Sequence, residues 1–124
     1  MDSPRHFYSD GRTISDIPAD ELFVPGAVID IWEASSEDPD YEATVDDLIK
    51  FEQTYGALPD RALVWLRTGW SRQFPSESAY RNGMRFPGFS VELAKVLVEM
   101  RGVVGIGIDT LSPDRGISTD FGVH

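Results

Sequence analysis

The sequence predicts an α/β fold with a mixed, partly parallel sheet and crossover helices, and three observations carry that prediction. Three short apolar runs (27–32, 62–67 and 103–109), the first and third rich in Val and Ile, have the length and composition of buried strands. Two amphipathic segments with helical spacing separate them. The resulting order, strand, helix, strand, helix, strand, is that of crossover units whose helices cover a largely parallel sheet.

The first run, Ala-Val-Ile-Asp-Ile-Trp, is followed by an acidic, turn-rich stretch at 34–42 that reads as a solvated loop. The first helix follows from Thr44 as N-cap, with Asp46 and Asp47 at the positive end of the helix dipole. Leu48, Phe51 and Tyr55 recur on one face, and Gly56 supplies the stop. After the second strand, 68–89 is irregular yet holds Trp70, Phe74, Tyr80, Phe86 and Phe89 among Gly and Pro. So many aromatics at the carboxyl end of a strand predict a pocket wall or a partner surface. Ser90 opens the second helix, Leu93, Val96, Leu97 and Met100 form its apolar stripe, and Gly102 closes it.

Length and composition bound the rest. With 124 residues, 41% apolar and 11% aromatic, one globular domain spanning 1–124 is expected. Eleven Lys and Arg against 21 Asp and Glu leave a net charge of −10, which argues against nucleic acid or an anionic membrane as partner. The absence of cysteine excludes disulfides, thiolate zinc sites and cysteine nucleophiles, and fits a cytoplasmic address. No apolar run approaches the ~20 residues of a membrane helix. The first residues lack the basic and hydrophobic regions of a secretory signal.

Residues able to carry chemistry crowd the two ends: Asp2, His6, Asp120 and His124. Carboxylate and imidazole suit a borderline divalent metal, and imidazole suits proton transfer near neutrality. Pro4 argues against a helix that would place Asp2 and His6 on one face. Asp109 closes the third strand, where a parallel sheet presents functional groups; it reads either as a catalytic carboxylate or as a cap of its own turn, 109–114. Gly105 and Gly107 lie inside a strand, so they predict close backbone packing and no dinucleotide site. Arg67 either pairs with a substrate carboxylate or answers the acidic surface, and Trp70 is either an aromatic wall or core. Glu37, Asp38, Asp40 and Glu42 read as a solvated face, and nothing singles out Ser112, Ser118 or Thr119 as nucleophiles.

Taken together, five blocks resemble the cyclase superfamily of metal-dependent hydrolases, which includes bacterial kynurenine formamidases and isatin hydrolases. Residues 2–7 (D-S-P-R-H-F) resemble the second half of the signature H-x-G-T-H-x-D-x-P-x-H-F. L-R-T-G-W at 66–70, F-P-G-F-S at 86–90, G-I-D-T-L-S at 107–112 and S-T-D-F-G-V-H at 118–124 resemble later blocks in the family's order. The resemblance implies the swivelling β/β/α cyclase-like fold and a site of one or two divalent ions, zinc or manganese. It implies hydrolysis of a small-molecule amide, lactam or imide, as in the kynurenine formamidase step of tryptophan catabolism.

By the same resemblance Asp2 and His124 are metal ligands, His6 is the general acid/base, and Trp70 and Phe7 contact substrate. The family pattern also places two ligand His before the Asp and a ligand Glu beyond the last His, none of which this sequence contains. The expectation is therefore a partial chain with little metal affinity and little turnover, or an inactive fragment serving as a binding or assembly module. Family strands outside this segment imply an exposed sheet edge and a homo-oligomer.

Overall fold

The computed structural model describes residues 2–124. Five strands and four α-helices alternate: β1 (Gly26–Asp30), α1 (Trp32–Glu37), β2 (Glu42–Ala43), α2 (Val45–Tyr55), β3 (Leu63–Arg67), α3 (Glu77–Arg81), β4 (Gly88–Phe89), α4 (Val91–Lys95) and β5 (Gly105–Ile108). The three apolar runs form one parallel sheet in the order β1-β3-β5, with Ala27 beside Val64 and Val64 beside Ile106. A second parallel pair, β2 with β4, holds residues 42–43 against 88–89.

The core lies on one face of the larger sheet. Ile29, Val64 and Leu66 pack with Leu48 of α2, Leu93 of α4, Leu97, Phe89 and Val103. The apolar runs predicted buried strands, and here the structure differs in part. Burial alternates along β1 and β3, leaving Val28 53% and Trp65 43% exposed on the far side. Among the described residues, helices cover only the inner face.

Local chemistry accounts for the helix positions. At the start of α2 the carboxylate of Asp47 accepts the Thr44 backbone N–H at 2.8 Å and the Thr44 hydroxyl at 3.0 Å. Thr44 thus marks the N-cap as expected, while the capping acceptor is Asp47. The Tyr41 phenol also donates to Asp47; burial first, then this hydrogen bond, push its pKa up to about 12. Gly56, at φ +91°, ends the helix. Ser90 Oγ accepts the Leu93 N–H and starts α4.

Three expectations are corrected. Trp32 opens α1 instead of ending β1, and 34–42 is no solvated loop: Ser35 is buried, its hydroxyl shared between the carbonyls of Ile31 and Thr68. Of the acidic residues there, Asp40 pairs with Arg85 and Glu42 with Arg115. The second helix widens into a π-turn over Val96–Met100, which rotates Met100 off the stripe and leaves it 68% exposed. Arg101 then closes a bidentate pair with Glu52 of α2 (2.7 and 2.9 Å), and this pair holds the Glu52 carboxyl below its usual range.

Candidate functional site

Two clusters occupy positions where ligand chemistry is expected, and they differ in kind. The first lies at the carboxyl ends of the larger sheet. Asp109, just beyond β5, accepts the Thr68 N–H at 2.9 Å, the Thr68 hydroxyl at 2.7 Å and the Ser71 N–H at 3.1 Å. Burial pushes its carboxyl pKa up, but these donors outweigh burial and leave it lowered. Asp109 therefore caps a turn, as one reading had it, but the turn after β3 and not its own.

Tyr80 donates to the Asp109 carbonyl, and the Trp70 indole N–H donates to the Tyr80 carbonyl at 2.8 Å. Asp109 and Tyr80 so pin the aromatic segment to the sheet. Trp70 is half-buried, and its hydrogen bonds run to Thr68 and Tyr80, not to the terminal histidines. Arg67 pairs with Asp30 across β1 and β3 and lies 4.9 Å from the Trp32 ring, which Arg72 covers at 3.7 Å. Gly107 faces the Trp65 ring, 2.2 Å from where a Cβ would sit, so its smallness serves a side chain and not a close backbone.

The second cluster brings the two ends of the chain together. Pro4 starts a 3₁₀ turn, Pro4–His6, at the one helical position proline favours; Asp2 lies outside it, so, as Pro4 predicts, no helix carries Asp2 and His6 on one face. That turn sets His6 Nδ1 2.6 Å from Asp2 Oδ2, while Asp2 Oδ1 accepts the Ser3 N–H at 2.8 Å. Both bonds lower the Asp2 pKa, the His6 contact more than the backbone one. His124 Nε2 lies 3.8 Å from the same Asp2 Oδ2, and the two imidazole rings stand 6.2 Å apart, edge to face.

Phe7 rests against His124 at 4.9 Å between ring centroids, and Phe121 flanks it at 6.0 Å. Sequence reasoning passed over two members of this cluster. Phe121 has no periodic signal, and Asp114 was read only as the end of a turn. The Asp114 carboxylate is buried and lies 2.5 Å from His124 Nδ1.

The donor chemistry fits a divalent cation in part. Two ligand atoms each ~2.1 Å from a zinc ion lie at most about 4.2 Å apart, and Asp2 Oδ2 and His124 Nε2 meet that limit. A carboxylate behind the other ring nitrogen is the usual support of a ligand imidazole. Among the described residues, no three His, Asp or Glu side chains are grouped as a metal site.

The Cyclase family model, described as "Putative cyclase", matches residues 1–115. The chain belongs to the cyclase family. No curated protein sequence matches it at significance. Among solved structures, this cyclase-family chain resembles isatin hydrolase A from Ralstonia solanacearum at 32% identity and a TM-score of 0.89, covering 97% of this chain and 49% of that one.

Isatin hydrolase A from Labrenzia aggregata, bound to benzyl benzoate, matches at 31% identity and a TM-score of 0.85 over 93% of this chain and 47% of that one. An isatin hydrolase bound to the product analogue thioisatinate matches at 29% and 0.83, with the same coverages. The chain thus spans about half the length of the solved structures it matches. Similarity at this level fits the α/β architecture that the three strand runs predict.

Proposed function

We propose that the chain carries part of the active site of a metal-dependent hydrolase acting on amide or cyclic amide bonds. The observation that carries the reading is the convergence of Asp2, His6 and His124 from opposite ends of the chain. The isatin hydrolase neighbours favour a small aromatic lactam or imide as substrate, with an arylformamide, as for kynurenine formamidase, as the finer alternative. Asp2 and His124 hold the cation, zinc or manganese. When bound, that ion polarises a carbonyl and makes water acidic enough to ionise near neutrality.

The chain's own residues do the rest. His6 keeps Nδ1 on Asp2, which leaves Nε2 to take a proton from water and return it to the leaving nitrogen. Phe7 and Phe121 offer apolar walls to an aromatic substrate, and the resemblance to the family adds Trp70, half-buried after β3, as a further substrate contact.

A second reading, a binding or assembly module without turnover, is favoured by the small donor set among the described residues. Hydrolysis of isatin and of N-formylkynurenine with Zn²⁺ or Mn²⁺ decides between them. It is measured for this chain and for a longer protein that adds H-x-G-T-H ahead of Asp2. Hydrolysis by the longer protein that is lost in His6→Ala supports the enzyme; turnover indifferent to His6→Ala removes His6 from its role. Folded proteins with no hydrolysis favour the module. Two protein donors hold a divalent ion weakly, so the chain alone is expected to bind Zn²⁺ weakly by calorimetry.

A further inference from the structure

Asp114 is placed where a carboxylate is costly. Its side chain is only 4% exposed, and a buried charge needs donors to offset its lost hydration. Its two partners come from residues 123 and 124. Val123 N–H donates to Oδ1 at 2.8 Å, and His124 Nδ1 meets Oδ2 at 2.5 Å.

The seat beneath it is built into the core. Phe89, fully buried in β4, donates its N–H to the Pro113 carbonyl at 2.8 Å and forms a parallel bridge with Asp114. The backbone of 113–115 can lie this close only because residue 88 is glycine: a Cβ there would stand 2.3 Å from Arg115 N and 2.6 Å from the Pro113 oxygen. Gly116 likewise packs so tightly that a Cβ would meet the Met84 oxygen at 2.3 Å.

We propose that Asp114 is the positioning residue of His124, accepting its Nδ1 proton, fixing the neutral ring as the Nδ1–H tautomer and aiming the Nε2 lone pair at Asp2. The use of that lone pair as a cation ligand rests on the functional reading above; the tautomer does not. An ionised carboxylate only accepts: Oδ1 takes the backbone N–H of Val123, which cannot change character, and Oδ2 can bond Nδ1 only if Nδ1 carries the ring proton. Asparagine offers one acceptor and an NH₂ group. With its oxygen on the Val123 N–H, the NH₂ confronts Nδ1, which must then accept, and the imidazole proton moves to Nε2. Asp114→Asn therefore keeps the volume and inverts the ring.

The test is a long-range ¹H–¹⁵N spectrum of the full chain at a pH where imidazole is neutral, with His6→Gln identifying the signals of the two histidines. The expected result is Nδ1–H for His124 in the wild type and mainly Nε2–H in Asp114→Asn. A Zn²⁺ titration followed on the same signals is expected to show about 10- to 100-fold weaker binding by the variant. An Nε2–H tautomer in the wild type, or one unchanged tautomer in both folded proteins, overturns the proposal. Should Asp114→Asn fail to fold, the wild-type tautomer alone decides. If the tautomers behave as stated but Zn²⁺ leaves His124 unmoved in the wild type, the positioning stands and the cation reading falls.

Discussion

Asp109 and Gly107 show how single residues in and just beyond the last strand serve partners far off in sequence. Protonating Asp109 removes the acceptor that Thr68 and Ser71 share, and its carboxyl pKa is lowered in the folded chain. The stabilisation is therefore complete above the ordinary carboxylate value of about 3.9 and is lost as pH falls through the lowered one. Asp109→Asn is expected to lower the melting temperature at neutral pH, with the gap to wild type unchanged down to about pH 3.9 and narrowing only as pH falls below it. Parallel curves across that range would exclude Asp109 as the cause. At Gly107 an added methyl meets the Trp65 ring, so Gly107→Ala is expected to cost about 1–3 kcal/mol by urea denaturation. Neither partner was legible in the sequence, because Asp109 answers donors 38 and 41 residues away.

At the scale of elements, helix α2 was the most legible and the helix after Ser90 the least. The capping position at Thr44, the inward face of Leu48 and Phe51 and the stop at Gly56 are all local and lie where the spacing put them, whereas Tyr55, expected on that face, is 76% exposed in the last turn. Asp47 also binds the Tyr41 phenol, so Asp47→Ala removes the acceptor of two elements at once. We expect a loss of about 1–2 kcal/mol, read from the denaturation midpoint; Asp46→Ala, whose carboxylate makes no such bonds, serves as the control. The π-turn over Val96–Met100 had no local signal. It sets the helix end for the Arg101–Glu52 pair, a contact between residues 49 apart.

Over the whole molecule, β3 lies between β1 and β5, and its inward side chains Val64 and Leu66 are fully buried. Amide hydrogen exchange is accordingly expected to be slowest in β3 and fast over 2–24, whose helical turns bury no side chain. Protection in 2–24 equal to that in β3 would contradict this ordering. Leu66→Ala in the central strand is expected to cost about 2–5 kcal/mol, against less than about 1 kcal/mol for Val28→Ala on the open face. The chain's two ends meet beside β4, a strand of two residues seated by Gly88, so the histidine cluster depends on the second, smaller sheet and not on the strands that announce the fold.

The sequence by itself determined the α/β class with three strand runs in a partly parallel sheet, the limits of α2 and the residue types gathered at Asp2, His6 and His124. These are properties of local composition and spacing, which hydrophobic periodicity and turn chemistry encode within about a dozen residues. Only the tertiary structure decided the strand order β1-β3-β5, that Asp109 serves the turn after β3, that one sheet face stays open, and that Asp114 lies buried behind His124. The reason is physical: a carboxylate's role is set by the donors that reach it. Those donors are chosen by backbone approaches, such as that of 113–115 against Gly88, which one-dimensional spacing does not contain.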